Sequence, residues 1–261
     1  MISYNIYCTL YTPYIKPTGK VLSLEELDGI RGILLKHENV VAVTDEVYEH
    51  LVYGGKVHNR FASLPGMWDR TITVSSCGKT FSATGWKVGW CYGASHLIKP
   101  VCLANQWIQF CVSTPTQRAV AEIIDQCDQP YEGHSSYLEY INKQYERKML
   151  GLVESLKIGK FSPIVPDAGF FVIADTSNHI VPEEHFELPA PNGETPVTRD
   201  WACARWLTVE AGITPIPPSA FYTADRKGLA ANLARFAFCK RDETLEEANK
   251  RFKALGDKIV S

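Results

Sequence analysis

Two short runs rich in β-branched residues constrain this chain more than any other feature. Val40-Val41-Ala42-Val43-Thr44 ends in Asp45-Glu46, and Thr71-Ile72-Thr73-Val74-Ser75 runs directly into Ser76-Cys77-Gly78-Lys79. A third run, Val88 to Tyr92, follows at once. Strands this rich in apolar and β-branched residues suggest a sheet covered on both faces, which predicts an α/β fold. Helical stretches lie around them. Ser23 with Glu26 forms a capping box that opens a helix reaching His37. Leu97 to Phe110 and Thr116 to Gln126 read as two more helices, with Pro115 at a helix start.

The character changes after about Gln129. A long amphipathic helix is expected over Ser135 to Leu156. Short strands follow at Pro163 to Val165 and Gly169 to Ala174, joined by the turn Pro166-Asp167-Ala168-Gly169. A proline- and acid-rich loop spans Val181 to Thr198, then a helix Arg199 to Ala211, a strand near Ile213 to Ile216 and another over Leu233 to Cys239. Asp242-Glu243 opens a final helix, with carboxylates at its positive end. The expected organisation is a partial large α/β domain over residues 1–134 and a small α+β domain over residues 135–261.

At 261 residues the chain can bury a sizeable core. A net charge of −2 with 21% charged residues gives no support for a nucleic-acid surface or a polybasic membrane patch. No apolar run is long enough to span a bilayer. The eight cysteines include no CxxC pair, and several sit in apolar runs, as reduced core thiols do. A cytoplasmic setting is the expectation, with a mitochondrial form differing only at the N-terminus. No metal site is expected.

The chemistry is concentrated around Lys79. Ser75-Ser76-Cys77-Gly78-Lys79-Thr80-Phe81-Ser82-Ala83-Thr84-Gly85-Trp86-Lys87-Val88-Gly89-Trp90 sets a small hydroxyl residue three positions before one lysine and a second lysine eight positions after it. With Asp45 and Tyr48 at the end of the preceding apolar run, the set comprises an amine nucleophile, phosphate-sized donors, a carboxylate and a phenol. Those are the parts of a pyridoxal phosphate site. Taken singly, each residue has a plain structural reading: a solvated loop lysine, a strand-end aspartate capping a turn, a surface tyrosine, an ion-paired Lys87.

Together, Asp45-x-x-Tyr48, Ser76-x-Gly78-Lys79 and Gly85-Trp86-Lys87-x-Gly89 resemble the cofactor core of the class I/II aminotransferases, which are fold type I pyridoxal-phosphate enzymes. Pro65-Gly66-Met67-Trp68, Ile164 to Gly169 and Ile216-Pro217-Pro218-Ser219-Ala220-Phe221 look most like the kynurenine aminotransferases, also called cysteine-S-conjugate β-lyases. The resemblance implies that Lys79 is the Schiff-base lysine and moves the substrate α-proton. It implies that Asp45 faces the pyridine nitrogen, Tyr48 the ring oxygen, and Ser76 and Lys87 the phosphate. Arg235, in Leu233-Ala234-Arg235-Phe236-Ala237-Phe238, would grip the substrate carboxylate in bidentate fashion, or else form a structural ion pair. Phe221 would line the substrate pocket or the core.

The implied reaction is amino transfer from an aromatic or sulfur-containing amino acid to a 2-oxo acid, with β-elimination from cysteine conjugates as a variant of the same site. The resemblance begins at Pro17-Thr18-Gly19-Lys20, preceded here by Lys16 where the family has asparagine. Relatives carry a longer N-terminal stretch that supplies a lid, phosphate-binding amides, a stacking aromatic and further strands. The chain is therefore expected to be the C-terminal part of the fold, forming a homodimer if that stretch is supplied. The alternative is a catalytically incompetent fragment that acts, if at all, as a cofactor-binding or subunit partner.

Overall fold

The computed structural model describes residues 7–11, 14–15, 18–190, 193, 195 and 197–260. Contacts divide the chain into two compact units, one built around residues 20–142 and the other around residues 143–260.

The first unit is organised by a four-stranded sheet in the order β1 (Tyr7–Tyr11), β4 (Val40–Asp45), β5 (Thr71–Ser76), β6 (Gly89–Gly93). The pairs β1–β4 and β4–β5 are parallel, and β6 runs antiparallel to β5. A small antiparallel pair, β2 (Tyr14–Ile15) with β3 (Lys20–Val21), leads into α1 (Leu24–Leu35), the crossover between β1 and β4. The capping box is formed: Ser23 Oγ accepts from Glu26 N, and the Glu26 carboxylate accepts from Ser23 N. At its other end α1 has no glycine stop. Lys36 N and His37 N close its last turn onto Ile33 O and Leu34 O, and the guanidinium of Arg70 also donates to the carbonyls of Leu34, His37 and Val40, tying the helix end to the start of β4. Leu27, Ala42, Phe61 and Met67 pack beneath as one apolar cluster.

One face of the sheet is closed. Ala42, Thr44, Thr71, Thr73 and Ser75 are buried, and Thr44 donates to Thr73 across the strands at 3.2 Å. On the other face Val41, Val43, Ile72 and Val74 are only half-buried, so the expectation of two fully covered faces holds for one of them. The unit continues through the short α2 (Cys77–Thr80), α3 (Ser95–Ile108), α4 (Thr114–Gln126), which has Pro115 in its first turn, and α5 (Tyr137–Ile158), whose later turns belong to the second unit.

The second unit holds an antiparallel sheet, β7 (Ser162–Ile164), β8 (Phe171–Asp175) and β9 (Leu233–Ala237). With it come α6 (Glu184–Glu187), α7 (Arg199–Glu210) and α8 (Asp242–Val260). Phe161, Phe236 and Phe252 meet edge to face at 5.7–5.8 Å between ring centroids and fill the core against α8. The strand expected near Ile213 to Ile216 is absent. Only Ile216 bridges β9, exchanging both backbone hydrogen bonds with Arg235. Pro215, Pro217 and Pro218 surround it and have no N–H with which to extend a ladder. The stretch from Val181 to Thr198, expected as loop, contains α6.

Candidate active site

Strand register assembles most of the expected residues. Asp45 is the last residue of β4 and pairs with Val74 of β5, two positions before Ser76. Paired residues and alternate residues along a strand share a face, so Asp45 and Ser76 stand on the same side of the sheet, at the carboxyl ends of adjacent parallel strands. Ligands of open α/β sheets bind at that end. Ser76 in turn pairs with Gly89, the first residue of β6, which brings the Lys87 turn to the same end. Lys79 follows Ser76 within α2, and Tyr48 follows Asp45 in the turn that leaves β4.

Close packing fixes the lysine turn. A Cβ on Gly78 would lie 2.8 Å from Thr84 Cα and 3.3 Å from Thr84 N, so only glycine lets the segment Ala83–Thr84 fold back over α2. Cys77 N donates to Val88 O at 3.1 Å and Phe81 N to Cys77 O at 2.9 Å, closing the turn at both ends. Lys79 is half-buried there, while Cys77 and Thr80 on either side are buried. Ser76 occupies the N-cap position of α2 without making a side-chain cap, which leaves its hydroxyl available at the sheet end. Lys87 is exposed and holds a left-handed backbone, φ 57°, after the 3-10 turn Thr84–Trp86. A non-glycine residue in that region is uncommon and gathers at functional turns.

The two adjacent carboxylates of Asp45-Glu46 are separated by the chain's alternation. Asp45 is half-buried, and its Oδ1 accepts weakly from Val47 N at 3.4 Å. Glu46 is fully buried: it lies 2.7 Å from His58 Nε2 and accepts from Phe61 N at 3.3 Å, while its own N–H reaches Val74 O at 2.8 Å. Glu46 thereby anchors the turn that carries Asp45 and the buried Tyr48 to the connection before β5. Burial, followed by the charges of Glu46 and Glu49, pushes the Tyr92 phenol up. Sequence reasoning missed Glu46 and His58. The only signals were the doubled carboxylate and a histidine twelve positions later.

Arg235 belongs to the second unit. Its guanidinium lies 4.2 Å from the ring centroid of Phe171 and 4.7 Å from that of Phe221, so two aromatic faces hold the fork. Phe171 pairs with Ala237 on the neighbouring strand and was not singled out from sequence. Phe221, exposed at 54%, closes a short 3-10 turn after Pro217-Pro218. Lys16, expected to replace a family asparagine, lies outside the described residues.

Known proteins resemble this chain over most of its length. The chain is 43% identical over 234 residues to the kynurenine–oxoglutarate transaminase of Dictyostelium discoideum, covering 89% of this chain and 53% of that protein. It is 40% identical over 249 residues to kynurenine–oxoglutarate transaminase 3 of Mus musculus, covering 94% and 52%. The chain thus spans about half the length of the curated relatives it matches. A crystal structure from Saccharomyces cerevisiae, described as a putative kynurenine aminotransferase, superposes with a TM-score of 0.86 at 34% identity, covering 98% of this chain and 58% of that one. Residues 15–252 match the family described as aminotransferase class I and II, and the chain belongs to that family.

Proposed function

We propose that this chain carries the lysine-bearing core of an aminotransferase that moves an amino group from an aromatic or sulfur-containing amino acid, kynurenine-like, to a 2-oxo acid. The observation that carries the reading is the register of β4 and β5, which sets Asp45 and Ser76 on one face at the sheet end where Lys79 begins its turn. The family depends on pyridoxal phosphate, and the donor set fits that cofactor: one carboxylate, one phenol, one hydroxyl and two amines of different exposure. When bound, the cofactor supplies an aldehyde that condenses with amines and a pyridine ring that takes up electrons as a bond to the α-carbon breaks.

The residues would divide the work. Asp45 holds a proton at the ring nitrogen. Tyr48 donates to the ring oxygen, and Ser76 with Lys87 holds the phosphate. Lys79, half-buried on a turn closed at both ends, would attach the cofactor and then carry a proton to and from the substrate α-carbon. Arg235, held between two rings, offers a planar fork to the substrate carboxylate. β-Elimination from a cysteine conjugate would use the same residues. A homodimer and a cytoplasmic setting belong to the same reading, the latter supported by the free thiols of the described cysteines.

The test is direct. Pyridoxal phosphate is added, the protein is reduced with borohydride, and the peptide carrying Lys79 is weighed. The cofactor mass should appear on that peptide and vanish in Lys79→Ala. Amino transfer from kynurenine to 2-oxoglutarate is then assayed on the unreduced protein. Absence of the adduct would refute the reading for this chain, whereas an adduct without turnover would favour the cofactor-binding partner.

A further inference from the structure

A cavity of about 600 Å³ opens in the first unit, with Phe81 of the lysine turn in its wall. Its walls are Phe81, Ile123, Cys127, Pro130, Tyr131 and Tyr137, with the amides of Gln126 and Gln129 at the edge. None of the five residues expected to bind cofactor in this unit lines it. The volume falls in the range of small-molecule sites, and the walls are mostly apolar with few polar groups, as such sites are.

The rings form a continuous aromatic surface. Phe81 and Tyr137 lie 6.0 Å apart between centroids, and Tyr131 meets Tyr137 edge to face at 5.4 Å. Tyr140 backs Tyr131 at 5.0 Å, and His134 backs Tyr140 at 5.6 Å. In an edge-to-face pair one ring makes the contact with its positive edge, so its own electron-rich faces stay out of that contact. The surrounding charge is net negative. From residue 118 to 143 the chain carries Glu122, Asp125, Asp128, Glu132 and Glu139 against Arg118, which pairs with Glu122 at 2.7 Å, and Lys143. A negative ring quadrupole inside a negatively charged surround selects a cation that tolerates desolvation, which excludes anions and favours alkylated ammonium over a bare metal ion.

We propose that this pocket is a binding site for a small organic cation of the quaternary or alkylammonium class, held on the faces of Tyr131, Tyr137 and Phe81. The site is independent of the aminotransferase reading. Its occupant would rest against Phe81, whose N–H closes the lysine turn onto Cys77 O.

The discriminating probes are choline and neohexanol, its neutral isostere with carbon in place of nitrogen. The protein is labelled with fluorotyrosine, and the Tyr131 and Tyr137 signals, assigned with Tyr→Phe variants, are followed by fluorine NMR. Choline should shift both signals and bind roughly tenfold tighter than neohexanol, as two or three cation–ring contacts imply. Tyr131→Leu, at a residue that is 43% exposed, should weaken choline by about 2–5-fold and leave neohexanol little changed. The double variant Asp128→Asn with Glu132→Gln leaves every ring in place and should also weaken choline alone. Equal affinity for the two probes, no shift with choline, or binding indifferent to all three substitutions would overturn the proposal.

Discussion

Gly78→Ala tests whether the lysine turn is held by backbone packing. The added Cβ would stand 2.8 Å from Thr84 Cα, 3.3 Å from Thr84 N and 3.4 Å from Ala83 O. Normal carbon–carbon contact is about 3.5–4.0 Å, and all three neighbours are backbone, so no side chain can swing aside. Forcing extra volume into such a contact costs about 1–3 kcal/mol. Replacing glycine also brings a gain of up to about 1 kcal/mol in a helical turn, which must be subtracted. Gly85→Ala supplies that correction, because Gly85 lies in the neighbouring 3-10 turn and a Cβ there meets nothing within 4 Å. The difference between the two variants isolates the overlap and should be about 2 kcal/mol, read by urea denaturation as a lower midpoint at unchanged slope. Pyridoxal phosphate attachment at Lys79 should slow in Gly78→Ala and not in Gly85→Ala. If the two variants have equal midpoints, the Ala83–Thr84 segment is free to retreat and the turn is not fixed as argued.

Three other outcomes follow from the second unit. Arg235→Lys keeps the charge but loses the planar fork that Phe171 and Phe221 embrace, so under the proposed amino transfer KM for the 2-oxo acid should rise on the order of 10- to 100-fold in steady-state assays. Asp200 is fully buried and accepts from Ser219 N at 2.7 Å and Thr198 Oγ1 at 2.5 Å; Asp200→Ala should cost about 2–4 kcal/mol in denaturant unfolding. His179 is buried, stacked on Phe161 at 4.0 Å and bonded to Gly159 O, and burial holds its pKa below the usual 6.5. The unfolded chain therefore takes up the proton first as pH falls. His179 contributes stability that is complete above pH ~6.5 and declines by up to about 1.4 kcal/mol per unit as pH drops toward its folded pKa. His179→Gln should flatten that acid limb in unfolding curves taken at successive pH values.

Much of the first unit was legible because its signals are local. The strand from Val40, the strand from Thr71 and the capping box at Ser23 each declare themselves within a few residues, and the structure places them where expected. The lysine turn was legible for the same reason, its glycines and lysines being close in sequence. What escaped depends on partners distant along the chain. β1 pairs with β4, about thirty residues on, and its two tyrosines and threonine favour a strand but show no period that sequence reasoning picked out. The burial of Glu46 depends on His58 and Phe61. The rings that hold Arg235 come from another strand and a proline-rich turn. The Ile213–Ile216 error is of the opposite kind: hydrophobicity suggested a strand, and flanking prolines limited it to one rung.

Arg70 bears on how the first unit acquires its order. A helix normally ends on groups within its own last turn, so its stop can form early and alone. At the end of α1 that local stop, Lys36 N on Ile33 O and His37 N on Leu34 O, is joined by a guanidinium from the segment just before β5, more than thirty residues later, which also binds the first carbonyl of β4. The last turn of α1 and the entries to β4 and β5 therefore share one fastener. They should gain and lose protection against hydrogen exchange together, as a single cooperative element that closes a long loop. The strands that present Asp45 and Lys79 are two of the parts so joined, and the carboxyl-end site inherits its rigidity from a contact made at the opposite end of the sheet.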